Sequence, residues 1–187
     1  MPLSAPVERE LLHLRDIELR GYHRADGLYD VEATLADTKT YTFNLDHRGT
    51  VTPGEKLHGM TMRMTVDEEL NIVAFEASSD FTPYAICPAA AANFHRLAGL
   101  KIGPGMMKQV HARVGGTEGC THLRELIQQM ATVAYQSLQL RRRKRPAPPP
   151  GTRPAIIGTC LAYATDSPVV KARWPQYYTG DTAEAAD

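Results

Sequence analysis

Residues 60–66 read "MTMRMTV": Met60, Met62, Met64 and Val66 alternate with Thr61, Arg63 and Thr65. An alternation of period two sends every apolar side chain to one face, the pattern of a strand half-buried against a core. The acidic turn residues 67–69 lead into "NIVAFEA", residues 71–77, which reads as an antiparallel partner. A similar pair lies upstream. In "IELRGYHRADGLYDVEATLAD", residues 17–37, two β-rich runs flank Asp26-Gly27, a pair suited to positive φ in a tight turn. Between the hairpins, "LDHRGTVTPGEKLHG" (45–59) reads as a loop punctuated by glycine and proline.

The period then changes from two to 3.6. "PAAAANFHRLAG" (88–99) opens with Pro88, favoured in a first helical turn, and closes at Gly99, a natural C-terminal stop. "GPGMMKQVHARVGG" (103–116) predicts a second short helix ended by glycines. A third is the clearest element: Leu123, Leu126, Ile127, Met130, Ala134 and Leu138 recur at helical spacing, with Arg124, Gln128 and Gln129 on the other face. Strands first and helices afterwards predict an α+β fold, an antiparallel sheet from N-terminal hairpins followed by a three-helix layer. The single domain is expected over 7–140.

"RRRKRPAPPPG" (141–151) ends the third helix and reads as a stiff basic, proline-rich linker. Its cations complement the C-terminal end of the helix dipole, so nucleic acid is not the expected partner. Residues 152–180 are expected to form a C-terminal arm folded back on the domain, because Trp174, Tyr177 and Tyr178 would be costly in water. Within it "PAIIGTCLAYA" (154–164) suggests one further strand. Residues 181–187 are expected to be a disordered tail.

Of the 187 residues, 21 are basic and 21 acidic, so no global field recruits nucleic acid or an anionic membrane. The N-terminus lacks the apolar core of a signal peptide and no run reaches a membrane span, which points to the cytoplasm. Three widely spaced cysteines, Cys87, Cys120 and Cys160, argue against a disulfide framework.

The chemistry-bearing residues gather around "GGTEGCTHLRELI" (115–127). Cys120 and His122 cannot share a helical face, but they converge if Cys120 belongs to the turn and His122 to the helix start. There the free N–H groups and the dipole favour a thiolate, and thiolate with imidazole suits zinc or iron. The plain alternative is a small buried thiol beside a partly exposed histidine. Cys87, before Pro88, occupies the same kind of helix start. Asp80, in "EASSDFTPY" (76–84), lies where the chain leaves the second central strand, and reads equally as a turn aspartate. His58, in "GEKLHGM" (54–60), enters the first central strand beside a glycine that permits close approach. Tyr84 is a candidate proton donor that nothing separates from a packing role. His95 and His111 read as helix-surface residues, and His13, His23 and His47 have no supporting context. "GLKIGPG" (99–105) has glycine spacing but no preceding strand, and "GPGMMK" (103–108) lacks the lysine-serine pattern of a phosphate loop.

The runs "RGYHRADGLYDVEATLADTKTY", "GEKLHGMTMRMTVD", "GLKIGPG" and "GGTEGCTHLREL" resemble, over about residues 7–180, a proteobacterial family labelled as a domain of unknown function. Its members are often encoded near genes for breakdown of aromatic compounds. A more distant resemblance is to the U-type iron–sulfur cluster scaffolds, a small antiparallel sheet followed by helices. That resemblance implies three ligand positions: His58 where the first cysteine stands, Cys120 at the last, and Asp80 or Cys87 near the middle one. Replacing thiolates by a mixed His/Asp/Cys set suits a single Zn²⁺ or Fe²⁺ with an open position better than a cluster.

The resulting expectation is a small metal-dependent lyase or hydrolase acting on an aromatic catabolite. His58, Cys120 and His122 would hold the metal, Asp80, Cys87 or Tyr84 would supply acid/base chemistry, and a side chain of the arm would cover the pocket. A non-catalytic carrier of metal or iron–sulfur clusters and a metal-free lyase are the alternatives. A homodimer is the base-rate expectation for a small sheet with exposed edges.

Overall fold

The computed structural model describes residues 3–142, 149 and 151–180. Most of the expected linker (143–148 and 150) and the expected tail (181–187) lie outside the described residues. The chain divides into two units, Met1–Lys144 and Arg145–Asp187.

The first unit is an α+β fold. Its main sheet has the order β1-β2-β5-β6, from β1 (His13–His23), β2 (Tyr29–Lys39), β5 (Lys56–Val66) and β6 (Ile72–Phe81). Every neighbouring pair is antiparallel. Gly27, at φ 88°, lets the chain reverse between β1 and β2, with the Arg24 N–H donating to the Leu28 carbonyl at 2.9 Å. The stretch expected to be a plain loop holds a small hairpin, β3 (Phe43–Leu45) and β4 (Gly49–Val51). Thr50 Oγ1 donates to Asn44 Oδ1 across it at 2.9 Å.

The alternation read from the sequence decides which face is covered. Val31, Ala33 and Leu35 of β2 join Met60, Met62, Met64 and Val66 of β5 and Phe75 of β6 in one buried cluster. On the opposite face Arg63 Nε donates to Glu32 at 3.0 Å, a solvated cross-strand pair. Helices close the apolar face. They are α1 (Cys87–Ala92), α2 (Met106–Val114) and α3 (Thr121–Ser137), followed by the short α4 (Gln139–Arg142). The six apolar positions that define α3, Leu123 to Leu138, are all fully buried. Each such large side chain contributes roughly 1.5–3 kcal/mol by leaving water.

The helix expected over 88–99 is split. After Ala92 the chain tightens into a 3₁₀ turn, Asn93–Leu97, which turns Phe94 and Leu97 into the core, and Gly99 at φ 84° ends it. This places Cys87 at the first residue of α1, beside the end of the sheet.

Two register slips lie at that end, one between Asp37 and Thr38 against β5 and one between Gly59 and Met60 against β6. Bulges of this kind re-aim side chains locally. At the second slip a Cβ on Gly59 would stand 2.6 Å from Cδ2 of the Phe81 ring. Gly59→Ala is therefore expected to cost about 1–3 kcal/mol by overpacking. Urea denaturation measures this, and a change under about 0.5 kcal/mol would show that the ring gives way without strain.

In the second unit the strand suggested for 154–164 does not form. Residues 155–158 make turns, and Leu161–Tyr163 is a 3₁₀ turn. Ser167 caps a short helix, Pro168–Arg173, its Oγ accepting from Val170 N at 3.2 Å. The Tyr163 and Trp174 rings pack 6.2 Å apart.

Candidate metal centre

β2 alternates Val31, Ala33 and Leu35 toward the core, and the next residue in that phase is Asp37. A carboxylate thus enters the buried face with no exposed surface. Such a charge is tolerated only when it is paired and hydrogen-bonded. Three side chains meet that need. Arg15, opposite Asp37 on β1, grips it with a fork: Nε donates to Oδ1 at 2.7 Å and Nη2 to Oδ2 at 2.8 Å. His13 Nε2 lies 3.1 Å from Oδ1. His58, opposite Asp37 on β5, places Nδ1 2.8 Å from Oδ2. Burial alone would raise the Asp37 carboxyl, but the hydrogen bonds from Arg15 and His58 outweigh it and hold the pKa at about 2.

An ionised carboxylate only accepts, so His58 Nδ1 carries the proton and donates it to Asp37. The remaining nitrogen, Nε2, is then a lone-pair donor whenever the ring is neutral. Burial lowers the His58 pKa, the charge of His122 lowers it further, and Asp37 opposes both. The net direction is down, which favours the neutral, ligating form at neutral pH.

α3 supplies the facing group. Cys120 is its N-terminal cap residue, in extended conformation, and Thr121 begins the helix. Gly119 permits the turn, because a Cβ there would run into the Val114 carbonyl oxygen. The turn is braced from the α1 side, where Asn93 Nδ2 donates to the Glu118 carbonyl at 2.8 Å and Arg96 donates to the Glu118 carboxylate at 2.9 Å. Cys120 and His122 converge, with Sγ 3.7 Å from Nδ1. The rings of His122 and His58 stack tilted, with centroids 4.1 Å apart.

Asp37, His58 and His122 each offer a ligand atom, and these atoms all lie within 4.8 Å of one another. The group can hold a metal ion. Both Asp37 oxygens are already engaged by Arg15, His13 and His58, so Asp37 is suited to standing behind His58 rather than to binding an ion itself.

A cavity of about 500 Å³ opens on the imidazole pair. Met60, Pro83, Ile86, Ala89 and Ala90 line it, together with Cys87, Tyr84 and Cys120. Of the residues singled out from sequence, His58, His122, Cys120, Cys87 and Tyr84 therefore share one cavity. Asp80 does not line it: it sits exposed on β6 and accepts a hydrogen bond from Ser78 Oγ. All three cysteines are free thiols. Among the described residues no helix is long and apolar enough to cross a membrane.

Asp37, Arg15 and His13 were not expected from sequence. The available signal was phase. Asp37 continues the inward series of β2, and Arg15 continues that of Ile17 and Leu19 on β1. An ionisable residue in the buried phase of a strand demands a partner.

No curated protein and no solved structure matches the chain at a significant level. The family model described as "Protein of unknown function (DUF2889)" matches residues 13–136. That span runs from the first residue of β1 to the last turn of α3 and includes His13, Arg15, Asp37, His58, Cys120 and His122. Since it covers well over half of the sequence, the chain belongs to the DUF2889 family.

Proposed function

We propose that the protein is a metal-dependent enzyme in which His58 and His122, with Cys120 beside them, hold one divalent ion, zinc or iron. The observation that carries this reading is the Asp37–His58 hydrogen bond of 2.8 Å, which fixes one tautomer of a buried imidazole and leaves its other nitrogen free on a ring that stacks 4.1 Å from a second imidazole. A carboxylate behind a histidine is the usual support of a ligating ring. The bound ion would supply Lewis acidity, polarising a substrate oxygen or lowering the pKa of water to about 7. The chain's own groups do the rest. Arg15 and Asp37 hold His58 in place, the apolar side chains of the wall offer contact to an apolar substrate, and Cys87 and Tyr84 line the same cavity, where a proton can be passed. Apart from the two imidazoles, the lining carries no charged side chain, which favours a small, mainly apolar compound with one oxygen function. An aromatic catabolite fits that description, with lyase or hydrolase chemistry in the cytoplasm.

Elemental analysis of protein purified without chelator tests the reading. Near one zinc or iron per chain is expected, falling sharply in His58→Ala and in Cys120→Ala. Less than about a tenth of an ion per chain in the parent protein would overturn it.

A second reading rests on the two thiols and two imidazoles that line the same cavity. That donor set also suits a carrier of metal or of an iron–sulfur cluster. It predicts visible absorbance after anaerobic reconstitution with iron and sulfide, lost in Cys87→Ala as well as Cys120→Ala. The enzyme reading predicts that Cys87→Ala keeps its metal.

A further inference from the structure

β1 is the outer strand of the main sheet, and among the described residues its far side pairs with no other strand. Long free edges invite pairing, and proteins blunt them by keeping them short or by adding proline, bulges or charges. β1 uses none of the first three. It is 11 residues long, contains no proline, and pairs with β2 through an unbroken register from His13 to His23. Apolar side chains cluster along it and just before it: Leu11, Leu12, Leu14, Ile17 and Tyr22 are each more than a third exposed.

Only charge remains as protection, and its arrangement favours a copy of the same strand. We propose that two copies of this chain associate through antiparallel β1–β1 pairing about a two-fold axis at Glu18, joining two four-stranded sheets into one. With the axis there, residues whose numbers add to thirty-six face each other. On the solvated face Asp16 meets Arg20 of the second copy, and Leu14 meets its Tyr22. On the helix-covered face Ile17 meets Leu19 of the second copy, while Arg15 meets Gly21, over which Ser137 and Val133 of α3 pack in its own chain. Each of these pairs occurs twice. The two Glu18 carboxylates face one another, but each already accepts a hydrogen bond of 2.6 Å from Arg20 of its own strand. Opposite-charge and apolar cross-strand pairs are favourable, and like charges directly opposite are unfavourable.

Neighbouring registers are worse. An axis at Ile17 sets Asp16 against Glu18. An axis at Leu19 keeps a Glu18–Arg20 pair but faces Ile17 with glycine and Leu14 with Arg24, losing both apolar matches.

The interface reaches the candidate site. His13 and Arg15, which hold Asp37, lie on this strand with side chains 40% and 33% exposed. Pairing would take the Arg15–Asp37 fork further from water, where it is electrostatically stronger. The assembly does not depend on the metal reading.

Light scattering and sedimentation of the full chain test the proposal. A particle of about twice the 20.6 kDa chain is expected. Asp16→Arg should weaken dimerisation by about tenfold or more, and Asp16→Arg/Arg20→Asp should restore it. Under mild oxidation Glu18→Cys should give a disulfide-linked dimer, since facing antiparallel residues lie about 4.5–5.5 Å apart at Cα, within disulfide reach. Leu19→Cys should not, and the parent protein under the same oxidant serves as control. A monomer at high concentration overturns the proposal, as does a dimer indifferent to Asp16→Arg or cross-linked through Leu19→Cys instead. Circular dichroism of each variant separates lost pairing from lost folding, and an unfolded Asp16→Arg leaves the decision to the Glu18→Cys cross-link.

Discussion

Asp37→Ala is expected to destabilise the protein by about 3–5 kcal/mol, the cost of removing one partner from a buried ionic cluster. The carboxylate has no exposed surface and accepts from Arg15, His13 and His58 together. Its loss leaves a buried imidazole unsatisfied and an arginine without its partner. Asp37→Asn keeps the shape but not the charge, cannot accept Arg15 on both sides, and should fall between the two. Urea unfolding measures the series, and a loss under about 1 kcal/mol for Asp37→Ala would mean that water replaces the carboxylate at little cost.

The same cluster sets the acid response. The Asp37 pKa is lowered on folding, so the stability it supplies is full above its ordinary value of 3.8 and is lost as pH falls toward about 2. A shift of that size is worth roughly 2 kcal/mol. His58 acts earlier. Its pKa is also lowered, so the unfolded chain binds the proton first and stability begins to fall as pH drops below the ordinary value of 6.5. Asp37→Asn should remove the lower of these two steps.

The sheet was legible because alternation is a local signal: four inward residues within "MTMRMTV" settle the face of β5 without knowledge of its neighbours. α3 was legible for the same reason at period 3.6. The split of the first helix was not, since the 3₁₀ turn is imposed by the packing of Phe94 and Leu97. "PAIIGTCLAYA" has strand composition but no partner ladder and folds into turns. At the site, residue type pointed to His58, Cys120 and His122, because thiols and imidazoles at element boundaries are uncommon enough to notice. Asp37, Arg15 and His13 are common residue types, and their meeting depends on cross-strand register over 21–24 residues of sequence. Asp80 was attractive by its expected position leaving the second central strand and by the middle ligand place of the scaffold resemblance. The structure puts it in β6 instead, where it accepts from a neighbouring serine.

His122→Ala separates the metal from the fold. His122 stands on the first turn of α3, is only partly buried, and touches Cys120 and the His58 ring. Its loss should change stability by less than about 1 kcal/mol. Metal affinity should fall further than the roughly 10–100-fold typical when only a group behind a ligand is lost. The His58 pKa should rise in the metal-free variant, because the charge of His122 is one of the influences that lowers it. Titration of the imidazole resonances by NMR reads that shift directly. His58→Ala must behave differently: it loses metal and stability together, since Asp37 then loses a hydrogen bond within the buried cluster. If both variants lose stability equally and the His58 resonance of His122→Ala titrates as in the parent, the two imidazoles do not share a centre.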